Sequence, residues 1–410
     1  MQPNTYQKIV LDDLRSFLAR WQACKDPVLA YRAHWDDKGV GRMPPYQPQP
    51  HNAPQVCAKV PTAGGKTLIG IYALQEVLNA LGKRRGEPRL CIWLVPSLSI
   101  KDQVLNRFNA VGDGYWLALR SALGERVSVL TKEQLMAGSG QFNADLVRDE
   151  VVIAVLTYDS LRAKNKDDRK LYQQNGGLAS FGADVNDRES DEDIDPESLV
   201  AAIASLSPVV IVDESHNATS ELSREMLTRL KPSCVVELTA TPRKGANIVS
   251  FVDAMALRDS HMVKLPVVVR NLPDQAAVIA HAIDLRARLE AEAKAEQANG
   301  GSYIRPIVLF QAEPKNKDDS LSFEKLRDEL VKQHAINPDW VKIKTANVDE
   351  LKGINLSADD CQVRFVITVN ALKEGWDCPF AYVLATLADR SSAIVNGCRD
   401  PRKSGRKAEF

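Results

Sequence analysis

An α/β architecture built on parallel sheets follows from three features of this 410-residue sequence. Short apolar runs rich in Val and Ile recur along the chain. Stretches of helix length separate them, several with apolar residues three and four positions apart. The runs are apolar throughout instead of alternating, the pattern of strands covered on both faces. Strands of that kind joined by helices form layered sheets whose ligands bind at the carboxyl ends of the strands.

Taken in order, residues 1–48 read as a helical region. The first strand series is Val56 to Val60, Leu90 to Val95, Val151 to Thr157, Val209 to Val212 and Val235 to Leu238. A second series follows at Ile307 to Phe310, Arg364 to Val369 and Ala381 to Thr386. The segment Lys164 to Ser198 interrupts the rhythm. It carries Asp184, Asp187, Glu189, Asp191, Glu192, Asp193, Asp195 and Glu197 against Arg188, which predicts a solvated insertion. Pro273 to Asn299 is rich in Ala, Glu and Arg and reads as a long exposed helix ended by Asn299-Gly300-Gly301. These features divide the chain into a first domain over 49–260, a helical linker over 261–300 and a second domain over 301–410. Two domains agree with a length of roughly 150 residues each.

Composition excludes several classes. Apolar residues at 44% and charged residues at 26% are those of a folded globular chain. The 53 basic and 53 acidic side chains cancel, so charge alone gives no support for a polyanionic partner. Seven scattered cysteines without CxxC spacing predict reduced thiols and no zinc site. Met1 to Asp12 lacks the apolar run of a signal peptide, and no stretch approaches the ~20 apolar residues of a membrane span. A cytoplasmic protein without membrane contact is expected.

The chemistry begins at Val60-Pro61-Thr62-Ala63-Gly64-Gly65-Lys66-Thr67. A strand runs into this loop, and Leu68, Ile71, Leu74, Val77 and Leu78 open a helix after it. That is the setting of a phosphate cradle. Backbone N–H groups of Thr62, Ala63, Gly64 and Gly65 and the helix N-terminus hold an anion, Lys66 reaches the outer phosphates, and Thr67 ligates magnesium. Val60 stands where the broadest GxxxxGK pattern has glycine. The second element, Val209 to Val212 followed by Asp213-Glu214-Ser215-His216, delivers two carboxylates at a strand end. Beside a magnesium nucleotide, Asp213 suits the metal and Glu214 the attacking water.

With Leu238-Thr239-Ala240-Thr241-Pro242, these segments resemble motifs I, II and III of superfamily 2 helicases. The resemblance implies two tandem RecA-like P-loop domains, ATP and Mg2+ as cofactors, and Glu214, Lys66 and Asp213 as catalytic residues. His216, Thr239 and Thr241 would couple hydrolysis to movement. Pro96 and Ser97 resemble motif Ia, and Thr157 and Tyr158 a later strand-contacting motif. Both sets would meet a nucleic-acid backbone. Tyr6-Gln7 is similar to the adenine-reading signature, with Gln7 on the adenine edge. Phe365 to Pro379 holds Leu372-Lys373-Glu374-Gly375-Trp376-Asp377-Cys378-Pro379 and looks like motif V in the form carried by the Res subunits of type III restriction enzymes. That places Thr368 near nucleic acid and Gly375 and Asp377 near the nucleotide.

The resemblance spans Tyr6 to Arg390 and then departs. Arg399, Arg402 and Arg406 are present, but Pro401 breaks the helix that motif VI occupies. The expectation is a second domain incomplete at its C-terminus, with no nuclease domain following. Two functions are implied: a restriction- or defence-type DNA translocase or helicase, with DNA contacted through its backbone and a modification methyltransferase as a partner, or a truncated remnant that binds ATP without hydrolysing it. A P-loop metabolic kinase leaves Asp213 to His216, Thr239 to Pro242 and Glu374 to Asp377 unexplained.

Overall fold

The computed structural model describes residues 1–41, 43–61, 64–161, 170–184, 195–215, 221–259, 268–313, 322–345, 347–356, 358–369, 378 and 380–387. The chain forms two compact units, Met1–Leu265 and Pro266–Phe410.

In the first unit seven strands form one sheet: β1 (Gln55–Lys59), β2 (Leu90–Val95), β3 (Val127–Leu130), β4 (Val151–Thr157), β5 (Val209–Asp213), β6 (Cys234–Thr239) and β7 (Ile248–Phe251). Their order is β3-β4-β2-β5-β6-β1-β7, and every pairing is parallel. All carboxyl ends therefore lie along one edge. The register sets Val95 beside Thr157, Leu94 beside Val212, Asp213 beside Leu238 and Lys59 beside Thr239. Separate apolar clusters cover the two faces, which is why β2, β4, β5 and β6 are buried along their whole length.

Two N-terminal helices, α1 (Thr5–Cys24) and α2 (Pro27–Lys38), share the core of this unit. Asn4 and Gln7 close α1 in a reciprocal capping box, and Asp26 caps α2 ahead of Pro27. Helix α3 (Lys66–Ala80) buries Leu68, Ile71, Leu74, Val77 and Leu78, the residues whose spacing predicts it. Its close seat on the sheet depends on Gly70, where a Cβ would lie 2.5 Å from Cη2 of the fully buried Trp93.

The expected solvated insertion is not solvated along its whole length. Leu171, Leu178 and Phe181 enter the core, with the Phe181 ring 4.8 Å from that of Phe142. The acidic residues 187–193 lie outside the described residues.

The second unit holds β8 (Ile307–Gln311), β9 (Val341–Lys344), β10 (Phe365–Thr368) and β11 (Ala381–Thr386), parallel in the order β11-β8-β10-β9. The helices Gln275–Ala298 and Phe323–Lys332 cover one face, where Ile279, Leu326 and Leu330 meet Phe310, Ile343 and Phe365. Gln275–Ala298 is thus part of this unit and not the linker its composition suggests. Ile279 and Ala282 are buried in the core, so the division falls near residue 265 instead of 300. On the other face, buried Arg305 donates to the carbonyls of Val363 (3.1 Å), Ala358 (2.9 Å) and Leu356, against the Phe380 ring. No helix among the described residues is long and apolar enough to cross a membrane.

Candidate functional site

Three neighbouring strands of the first sheet, β5, β6 and β1, end in the residues singled out from the sequence. Beyond β1 the chain passes Val60, whose N–H donates to Thr239 O at 2.9 Å, and turns through Gly64 and Gly65 into α3. Gly65 has φ +69°, a conformation glycine adopts without a Cβ penalty. At Gly64 a Cβ would sit 2.5 Å from Val60 Cγ1 and 2.9 Å from Pro61 O, so the loop closes only around glycine. Among the described residues no side chain caps α3, which leaves its first N–H groups and the positive end of its dipole for an anion. Thr67 is half-buried in that first turn.

Lys66 is buried, and its Nζ lies 2.7 Å from Oε1 of Glu214. β1 and β5 are separated by β6, so this ion pair spans three strand ends. Asp213 is buried at the last position of β5. Glu214 follows in a left-handed conformation, φ +51°. For a residue with a Cβ this costs about 1–3 kcal/mol and persists only where surrounding contacts fix it. A cation, a helix N-terminus, a metal-competent carboxylate and a second carboxylate thus converge on one point. A polyphosphate with its magnesium fits there: the uncapped N–H groups and Lys66 suit the anion, and Asp213 and Thr67 offer oxygen ligands to a hard cation.

The N-terminus of the chain reaches the same loop. The Tyr6 hydroxyl donates to Gly64 O at 2.5 Å, and Gln7 Nε2 donates to that carbonyl at 3.2 Å and to the Tyr6 hydroxyl at 3.4 Å. Burial raises the Tyr6 pKa, partly opposed by hydrogen bonds from Asn4 and Gln7, so the hydroxyl keeps the proton it donates. The Gln7 amide oxygen accepts from Asn4 N–H at 3.0 Å. Gln7 is therefore joined to the loop on one side and to the helix cap on the other, and it is buried.

Along the same edge, Ser97 caps the helix α4 (Leu98–Asn109), and it and Pro96 are half-buried at the end of β2. Thr157 and Tyr158 differ from the expectation of hydroxyls facing a nucleic acid. Both are buried; Thr157 Oγ1 accepts from Ser160 N–H at 3.2 Å, and the Tyr158 hydroxyl donates to Asp213 O at 2.6 Å. Thr239 is fully buried, its Oγ1 accepting from Thr241 N–H at 3.2 Å, while Thr241 is exposed. In the second unit Thr368 ends β10 with a buried hydroxyl that has no hydrogen-bond partner among the described residues. Thr62, Ala63, His216, Gly375 and Asp377 lie outside the described residues.

One polar group escapes a reading of motifs. Glu237, buried in β6, accepts from Gln55 Nε2 at 2.5 Å and pairs with Arg243 at 3.3 Å. Burial raises its pKa against the opposing effects of Arg243 and Gln55. A charged residue inside an apolar strand, with Arg243 just past Thr239 to Pro242, is the available signal.

The family model described as type III restriction enzyme, res subunit, matches residues 1–244, which contain the phosphate loop and the Asp213–Glu214 pair. The chain belongs to this family. It is a Res-family protein with an α/β fold of two parallel sheets. Similar solved structures include Dbp5 of S. cerevisiae bound to RNA and ADP BeF3, 13% identical, covering 88% of this chain and 74% of that chain at a TM-score of 0.39. A fragment described as an HsdR subunit of a type I restriction enzyme from Vibrio vulnificus is 14% identical, covering 92% and 61% at 0.35. The Sulfolobus solfataricus SWI2/SNF2 ATPase core in complex with dsDNA is 14% identical, covering 77% and 73% at 0.25. No curated protein matches the sequence.

Proposed function

We propose that this Res-family chain is a DNA-dependent ATPase that works as a translocase or helicase of restriction or defence type. The observation that carries the reading is the Lys66–Glu214 ion pair at the uncapped N-terminus of α3, beside Asp213. Lys66 and the α3 N–H groups bind the outer phosphates, and Thr67 and Asp213 would hold a magnesium ion, which would neutralise charge on the phosphates. Glu214, released from Lys66 by the incoming anion, orients the attacking water. Thr239 and Thr241 lie one strand away and would pass the nucleotide state onward. Pro96 and Ser97, at the end of β2, would meet a DNA backbone, where a helix N-terminus and a hydroxyl suit phosphate oxygens that carry no sequence information. A modification methyltransferase is the partner, and the cytoplasm the compartment, that fit such a motor.

The purified chain should hydrolyse ATP faster when DNA is added, and Lys66→Ala or Glu214→Gln should abolish the increment. Intact ATP binding with no DNA-stimulated turnover would overturn the proposal.

A further inference from the structure

Tyr158 has no part in the chemistry above, yet it touches the site. β4 and β5 are separated by β2, so from the turn after β4 its side chain reaches past the end of β2 to Asp213. The bond is 2.6 Å long, buried, and made to the carbonyl of the peptide group that joins Asp213 to Glu214. The orientation of that peptide plane is one side of the Glu214 φ rotation, and φ there is +51°. A left-handed glutamate needs contacts that determine it. Lys66 holds its carboxylate at 2.7 Å, and Tyr158 holds the carbonyl just before its backbone nitrogen.

We infer that Tyr158 is a positioning residue for hydrolysis, fixing the Asp213–Glu214 peptide so that the Glu214 carboxylate faces Lys66 and the N-terminus of α3. The inference rests on the ATPase reading. The tyrosine acts through the backbone of the catalytic pair. Because Tyr158 directly follows Thr157, a displacement of the strand-end turn Tyr158–Leu161 also displaces the hydroxyl under Asp213.

Tyr158→Phe removes one oxygen and keeps the ring. In the full chain, with ATP turnover measured beside the wild type, kcat should fall about tenfold, the equivalent of roughly 1.4 kcal/mol of transition-state stabilisation, while KM for ATP stays within about twofold. Binding of ADP by fluorescence titration, expected unchanged, reports that the variant is folded. An unchanged kcat, a rise in KM alone, or a lowered melting temperature with full kcat in the folded fraction would each show the hydroxyl to be merely structural and overturn the inference. If the wild type binds ATP without turnover, the ATPase reading itself fails and the inference falls with it. Turnover in the wild type matched by Tyr158→Phe removes the inference alone.

Discussion

Gly64 and Glu214 show how narrowly single residues set this site. Any side chain at Gly64 drives a methyl to 2.5 Å of Val60 Cγ1 and 2.9 Å of a backbone carbonyl, so the loop must open. Gly64→Ala is expected to weaken binding of a fluorescent ATP analogue at least tenfold and to destabilise the first unit by about 1–3 kcal/mol, the usual effect of overpacking. Binding equal to wild type would mean that the loop adapts freely. Glu214 raises a different question, because its carboxylate occupies the ammonium that phosphate needs. Neutralising it in Glu214→Gln should strengthen ADP binding several-fold in an equilibrium titration even as turnover is lost. Weaker binding would show that the pair supports the cradle and does not compete with its ligand.

At the scale of elements, helix α1 is a brace for the phosphate loop, since Tyr6 and Gln7 both end on Gly64 O. Removing one of these donors in Tyr6→Phe is expected to raise KM for ATP several-fold with kcat nearly unchanged. That ratio is in keeping with about 1 kcal/mol for a buried hydrogen bond. The loop, the carboxylates and the central strands are legible in the sequence because β2, β4, β5 and β6 lie between two covered faces and read as continuous apolar runs. β3, β7 and β9 do not announce themselves. Each is four residues long and lies at a sheet edge, and Val341-Lys342-Ile343-Lys344 alternates because one side of the strand is less deeply buried. Tyr158 misleads for a related reason. A tyrosine just past a strand end reads as a surface group, and only the strand order, which sets β5 within its reach, turns its hydroxyl inward. The helix Gln275–Ala298 looks solvated because Ala and charged residues dominate it, while a few positions such as Ile279 and Ala282 attach it to the second core.

For the whole molecule, two units with separate cores carry carboxylates, Glu237 buried and Glu290 half-buried, whose pKa values are shifted in opposite directions. In the first unit burial raises Glu237 above the usual carboxylate range despite Arg243 and Gln55. A folded pKa above the unfolded value, roughly 4.3, gives a stabilising contribution that is complete below that pH and is lost as pH rises through the folded value. In the second unit burial works against ionised Glu290, but Arg286 at 2.7 Å, Arg364 at 3.2 Å and Lys294 outweigh it and lower its pKa. Its contribution is complete above roughly pH 4.3 and is lost as pH falls through the lower folded value. Hydrogen exchange followed by mass spectrometry reads the two cores separately. Protection of Val209–Asp213 should fall as pH is raised above the carboxylate range, after correction for intrinsic exchange, and Glu237→Gln should flatten that slope. Protection of Phe365–Thr368 should instead fall on acidification, and Glu290→Gln should remove that dependence while lowering protection at neutral pH, because Arg286 and Arg364 lose their shared carboxylate. Parallel pH profiles in the two cores, insensitive to both substitutions, would show that other groups govern the response of this chain to acid.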